Sequence, residues 1–142
     1  MKTRRTFLTF SLAAALAGMT LASLAQTARR IPLSQLEDMF ANMRAKTKWN
    51  VDGPLLWGYF FFDSSSAKLK QASTVLEGLG YRVVGIQPVQ GRPQLRLHVE
   101  RIEVHTPATL HARNGEFYAL AERLTLASYD GMDVGPALAA IK

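Results

Sequence analysis

The chain has 142 residues, enough for one domain, and it contains no cysteine. Disulfides, thiolate metal ligands and cysteine nucleophiles are therefore excluded, and the core must be held together by burial. The 17 Lys and Arg against 11 Asp and Glu give a formal charge of +6. Three of these cations lie in the first five residues, which leaves about +3 for the rest. Such a small excess does not predict direct nucleic-acid binding, which requires clustered positive charge.

Residues 1–25 are predicted to be an export signal. A cationic start over residues 2–5 precedes an apolar stretch that reaches about Ala22, and Ser23-Leu24-Ala25 offers small residues for cleavage after Ala25. The segment Thr3-Arg4-Arg5-Thr6-Phe7-Leu8 also resembles the twin-arginine motif. We therefore expect a periplasmic protein without a membrane anchor after cleavage, exported by the twin-arginine route. A retained anchor helix, the Sec route and a cytoplasmic location remain alternatives.

Residues 26–51 are predicted to form a linker and an N-terminal helix. Ser34 and Glu37 have the spacing of a capping box, which predicts that the helix begins at Ser34 and runs to about Lys46. Its apolar face is formed by residues spaced i, i+3, i+4 and i+7, namely Leu36, Met39, Phe40 and Met43.

The next segment predicts strand, helix, strand and strand. Leu55–Phe62 is apolar on both faces, as expected for a central strand, and residues 63–66 supply helix N-caps. A second strand is predicted over 81–89 and a third over 94–105. In the third strand the apolar residues change parity, which predicts a β-bulge near Glu100. That bulge would place four polar side chains on one face: Arg96, His98, Glu103 and His105.

Thr106 and Pro107 begin the next helix, as N-cap and first helical residue. Asn114 falls on the apolar stripe of this helix, so it is predicted to be a buried structural brace that bonds a neighbouring strand or the Tyr129 region. A last strand is predicted over 125–132, then an exit turn over 133–136.

Together these elements predict an α+β fold: a ferredoxin-like βαββαβ sandwich with an extra N-terminal helix. Its four-stranded antiparallel sheet carries two helices on one face. The other face is expected to be open or covered by the N-terminal helix. Residues 52–136 form the predicted domain, and residues 137–142 a short C-terminal tail.

The polar residues do not form a recognisable catalytic motif. The three histidines, His98, His105 and His111, lack the spacing of known zinc sites, and no Gly-x-Ser-x-Gly elbow is present. We therefore predict no catalytic residue, no metal and no cofactor. A metal-assisted periplasmic hydrolase that uses these histidines with Asp130 or Asp133 remains the competing hypothesis.

The C-terminal half resembles the RraB family, named for a regulator that inhibits ribonuclease E. The similarity lies in Leu110-His111-Ala112-Arg113-Asn114, in Leu120-Ala121-Glu122 and in Tyr129-Asp130-Gly131-Met132-Asp133-Val134-Gly135, together with Gly80-Tyr81. It covers about residues 52–136. The resemblance implies a ferredoxin-like, protein-binding regulator that is not an enzyme.

The expected function is therefore an exported regulatory domain with an unknown protein partner and unknown oligomeric state. Arg113, Tyr129, Asp130 and Asp133 are the predicted partner-binding residues. Ribonuclease E is the expected partner only if the signal is not used and the protein stays in the cytoplasm.

Overall fold

The computed structural model describes residues 30–137. The description below concerns the compact unit that begins at Ile31. The predicted export signal and residues 138–142 of the predicted tail lie outside the described residues. Among the described residues, no helix is long and apolar enough to cross a membrane.

The described residues form three helices and a four-stranded sheet. In chain order the elements are α1 (Leu33–Lys46), β1 (Leu55–Asp63), α2 (Ser66–Gly78), β2 (Arg82–Pro88), β3 (Leu95–Glu103), α3 (Pro107–Arg123) and β4 (Ser128–Pro136). The strand order is β2-β3-β1-β4, and each neighbouring pair is antiparallel. This α+β arrangement confirms the predicted ferredoxin-like fold with its extra N-terminal helix.

The alternation of β1 separates the two faces of the sheet. Trp57, Tyr59 and Phe61 are buried beneath the helices, whereas Phe60 and Phe62 lie half-buried on the opposite face. The three buried rings therefore pack in the core and cannot receive nucleic-acid bases.

The N-terminal helix α1 joins the helix layer. It packs against α3, and the Phe40 ring stacks on Trp57 with 5.9 Å between ring centroids. Full burial of a side chain of this size stabilises a fold by about 1.5–3 kcal/mol. The helix therefore contributes to the core.

The predicted helix starts are correct for two of the three helices. Ser65 caps α2 by accepting from the Lys68 backbone N–H, and Thr106 caps α3 with Pro107 in the first turn. The predicted capping box of α1 is wrong. That helix begins at Leu33, so Ser34 lies inside the first turn and cannot be the N-cap. The N-cap is Pro32, which has no side-chain oxygen to accept a hydrogen bond.

The predicted bulge in β3 is also wrong. Pairing with β1 is continuous from Leu95 to Glu103, so the alternation never changes parity. Ile102 and Val104, which were expected to turn inward, are instead 44% and 59% exposed.

The irregularity next to β1 lies in β4. Phe60 faces two residues, Asp130 and Gly131, between the pairs Tyr59–Met132 and Phe61–Tyr129. Gly131 has φ +108°, a conformation that side chains disfavour. After this bulge, residues 132–136 continue as strand, so the predicted exit turn over 133–136 is wrong.

Candidate functional site: an arginine cleft over a buried glutamate

The inner face of β3 changes from apolar to charged along its length. Leu95, Leu97 and Val99 point toward the helices, and the unbroken alternation then places Arg101 and Glu103 on the same face. A charge in this position is costly unless it is paired and hydrogen-bonded. The surroundings of Glu103 meet that requirement.

Glu103 accepts hydrogen bonds from several elements. Its Oε1 accepts from the Tyr59 hydroxyl and contacts His105 Nε2 at 2.9 Å. Its Oε2 accepts from the Tyr81 hydroxyl at 3.1 Å and from Arg101 Nε at 2.9 Å, and it forms an ion pair with Arg113 Nη2 at 3.2 Å. Only 7% of the Glu103 side chain is exposed. The carboxylate therefore joins β1, the start of β2, β3 and α3 at one point.

This environment keeps Glu103 ionised. Burial alone would raise its pKa, but hydrogen bonds from His105, Tyr59 and Arg101 and the charge of Arg113 outweigh burial and lower the pKa from 4.5 to about 2. Burial and Glu103 also raise the pKa of Tyr59, so its hydroxyl remains a donor. A buried, fully bonded carboxylate of such low pKa is a poor general base at neutral pH.

The neighbouring histidine is fixed on both ring nitrogens. His105 is 5% exposed, its Nδ1 lies 2.9 Å from Thr109 Oγ1, and its ring meets Trp57 edge-on at 5.4 Å. These contacts place His105 in a structural role that supports Glu103.

Two arginines extend from Glu103 into a cleft at the surface. Arg101 stacks on the Tyr81 ring, with 4.0 Å from Cζ to the ring centroid, and donates from Nη1 to the Leu79 carbonyl at 2.8 Å. Arg113 also pairs with Glu116 at 2.9 Å, while its Nε–H is buried and has no hydrogen-bond partner among the described residues. One buried carboxylate thus orients two guanidinium groups and compensates one positive charge.

The cleft has a volume of about 360 Å³. Arginines and a glutamate line its sides, and apolar or aromatic side chains line the remainder. Its lining consists of Leu79, Tyr81, Arg101, Arg113, Glu116, Phe117, Ala119, Leu120 and Arg123. Leu79 is 57% exposed at the mouth. The arrangement can bind an anionic group beside an apolar one.

The predicted partner-binding residues do not form one surface. Arg113 lies in the cleft on the helix side of the sheet, whereas Asp133 pairs with Gly58 and faces the opposite side with His98. Asp130 is exposed at the β4 bulge. The roles of these two aspartates stay predictions.

Tyr129 cannot contact a partner from its position. It is 2% exposed, and its hydroxyl donates to Asn114 Oδ1 at 2.6 Å. Asn114 is 1% exposed, and its amide nitrogen reaches the Met132 sulfur at 3.5 Å. Asn114 is thus buried and accepts a hydrogen bond from the Tyr129 hydroxyl, and its role as a structural brace stays a prediction.

The three histidines do not come together. His98 faces the open side of the sheet beside Phe60, His105 lies on the helix side, and His111 is exposed on α3. Within residues 30–137, no group of three or more His, Cys, Asp or Glu side chains is placed to hold a metal ion. The hydrolase hypothesis thereby loses its proposed set of ligands.

Sequence reasoning missed Arg101, Glu103 and Tyr81 as members of a site. The signal was present: an uninterrupted period of two through β3 puts two charged residues at inward positions. The apolar side chains of Ile102 and Val104 suggested instead that a bulge turns these two residues inward and Glu103 outward.

Comparison with known families gives a match. The model described as "RraB: Regulator of ribonuclease activity B" matches residues 34–134. The chain belongs to the RraB family. The match includes α1, which lies before the segment over 52–136 in which the resemblance was expected. Among curated proteins, no match to the chain is found.

Membership of the RraB family indicates a regulatory, protein-binding domain. The arginine cleft lies within the matched residues. The family assignment and this surface are the two findings on which a functional interpretation depends.

Proposed function

We propose that this protein is an exported, non-enzymatic regulator that binds a protein partner through the arginine cleft. The observation that carries the proposal is the pair Arg101 and Arg113, held by the buried Glu103 with their guanidinium groups at a cleft that also exposes apolar side chains. Preoriented arginines beside apolar surface are typical of protein recognition sites.

The character of Glu103 favours binding over catalysis. Its carboxylate is occupied by internal donors and its pKa is about 2, so it neither accepts a proton at neutral pH nor reaches a substrate. The cleft therefore supplies fixed hydrogen-bond donors. The export component of the proposal comes from residues 1–25 and their resemblance to a twin-arginine signal.

A second candidate is the cytoplasmic role implied by the family name, regulation of ribonuclease activity. It applies if residues 1–25 are retained and the protein stays in the cytoplasm. The two candidates differ in location and in partner, so one set of experiments separates them.

The test combines fractionation with capture in the native cells. A chain with a C-terminal affinity tag is cross-linked in vivo, the periplasmic and cytoplasmic fractions are separated, and intact mass is measured. We expect a periplasmic species lacking residues 1–25, cross-linked reproducibly to one or a few proteins.

Different results would contradict the proposal. A full-length cytoplasmic species cross-linked to a ribonuclease would support the second candidate. Recovery of the chain without any cross-linked protein from either fraction would contradict a partner-binding function.

A further inference from the structure

We propose that the cleft binds an acidic protein segment in which a carboxylate lies next to a large apolar side chain. This proposal rests on the proposed protein-binding function and adds the chemistry of the partner. Three features carry it: the surplus of arginine, the apolar lining and the small net charge of the domain.

The first feature is the surplus of guanidinium groups. Arg101 and Arg113 share the single buried carboxylate of Glu103, and Arg123 has no ion-pair partner among the described residues. Glu116 pairs with Arg113 at the rim, but 64% of its side chain is exposed. Such an exposed pair contributes little, so an incoming carboxylate can replace Glu116 at small cost.

Arg113, which lines the cleft, also carries a buried donor without a partner among the described residues. Arg113 uses Nη2 for Glu103 and Nη1 for Glu116, and its Nε–H is buried without a partner among the described residues. Arginine presents its N–H groups as a planar fork that matches a carboxylate. Because Glu103 fixes one side of this fork, little conformational freedom remains to be lost on binding.

The second feature is the apolar lining. Leu79 is 57% exposed at the cleft, whereas Phe117 and Leu120 line it from the core and are themselves buried. Free phosphate or another small anion would leave Leu79 uncovered. A leucine, isoleucine or phenylalanine next to the bound carboxylate would cover Leu79 and add affinity.

The third feature, the small net charge of the domain, favours a protein ligand over a polyanion such as nucleic acid. Residues 30–137 contain 12 Lys and Arg and 11 Asp and Glu, so the domain as a whole is nearly neutral. A nucleic acid requires positive charge along several phosphates. The cleft itself holds three arginines with Glu116 among its lining residues, a set that fits one or two carboxylates rather than a row of phosphates.

The probe is a fluorescein-labelled peptide with the sequence Gly-Ser-Asp-Glu-Leu-Glu-Ser-Gly, and binding is measured by anisotropy with the full chain. Two matched peptides test the chemistry: one has Asn and Gln in place of Asp and Glu, and the other has Ser in place of Leu. We expect both changes to weaken binding by about tenfold, since each removes one class of contact.

Matched protein variants locate the binding. The side chains of Arg123 and Leu79 make no contact with Glu103, and the Leu79 carbonyl that accepts from Arg101 is kept in a serine, so we expect Arg123→Gln and Leu79→Ser to fold; circular dichroism checks this. We expect each to weaken the acidic peptide by about fivefold or more. Arg92→Gln removes the same charge from the exposed turn between β2 and β3 and should leave binding unchanged.

Several results would overturn the proposal. Equal affinity for the uncharged peptide, or unchanged affinity in both Arg123→Gln and Leu79→Ser, would exclude the assigned chemistry. Displacement of the peptide by inorganic phosphate at the same concentration would indicate a simple anion site. Tighter, Arg123-dependent binding of a single-stranded RNA of similar charge would replace the protein segment by nucleic acid.

These outcomes are distinguishable from failure of the proposed function. If in-cell cross-linking captures a partner but the peptides do not bind, the regulator remains a protein-binding domain and the partner chemistry is wrong. If the peptides bind as expected but no protein is captured, the cleft chemistry stands and the cellular function is wrong.

Discussion

Replacement of the buried carboxylate by an amide, Glu103→Gln, should destabilise the protein by about 3 kcal/mol at pH 7. The glutamine keeps the volume of the side chain but places an NH₂ group against donors from Tyr81 and Arg101. The pKa of Glu103 is lowered from 4.5 to about 2, which corresponds to about 3 kcal/mol in favour of the folded state.

A second estimate gives a similar value. Removing one partner of a buried ion pair costs about 3–5 kcal/mol. The side chains of Arg101 and Arg113 are 31% and 24% exposed, so water compensates part of the loss and the lower end of the range applies.

The effect should also depend on pH with a definite sign. Because the folded pKa lies below the unfolded one, the contribution of Glu103 is complete above pH 4.5 and is lost as the pH falls toward 2. The difference in free energy of unfolding between the unchanged chain and Glu103→Gln should therefore shrink over this interval.

Urea denaturation of the full chain, followed by tryptophan fluorescence at several pH values, measures both quantities. Glu116→Gln is the matched control: it pairs with the same Arg113 but is 64% exposed, and should stay within about 0.5 kcal/mol of the unchanged chain. A loss below about 1 kcal/mol at pH 7, or a difference that stays constant from about pH 5 to about pH 2.5, would refute the reasoning.

Two further predictions concern the core. Tyr129→Phe removes the hydroxyl that donates to Asn114 Oδ1 and leaves that oxygen buried without this donor, so it should lower the free energy of unfolding by about 1–3 kcal/mol; an unchanged urea midpoint would contradict this. Phe40→Ala removes the ring that stacks on Trp57 and should cost about 3–5 kcal/mol, measured by urea denaturation; a cost near zero would show that α1 is not part of the core.

Local patterns were sufficient to predict most of the fold. The alternation in β1 predicted its two faces, and Thr106 with Pro107 predicted the start of α3 because capping depends on residues within one turn. The errors arose at residues whose exposure differs from what the polarity of their side chains suggests. Ile102 and Val104 are apolar but exposed, so they suggested a bulge in β3 that the register does not have.

The candidate site was less predictable because its members are distant in sequence. Tyr59 lies 44 residues from Glu103, and Tyr81 lies 22 residues from it. Only the assembled sheet brings these hydroxyls to the carboxylate. Arg113 was identified from the family resemblance, but its connection to Glu103 required the three-dimensional register of β3.

The sequence of β4 led to a different error, the prediction of an exit turn over 133–136. Glycines and aspartates over 130–135 favour a turn, but pairing with β1 extends the strand to Pro136. Tertiary pairing overrode the local preference, so Tyr129 points into the core and Asp133 to the opposite face of the sheet.

The central claim is that a protein partner occupies the arginine cleft, and site-specific photo-cross-linking in the native cells tests it most directly. A photoreactive residue replaces Leu79 at the mouth of the cleft, or, as a control, the exposed Lys70 on α2. We predict a discrete protein adduct from position 79 that Arg123→Gln weakens, and none from position 70. Equal adducts from both positions, or an adduct from 79 that Arg123→Gln leaves unchanged, would contradict the claim.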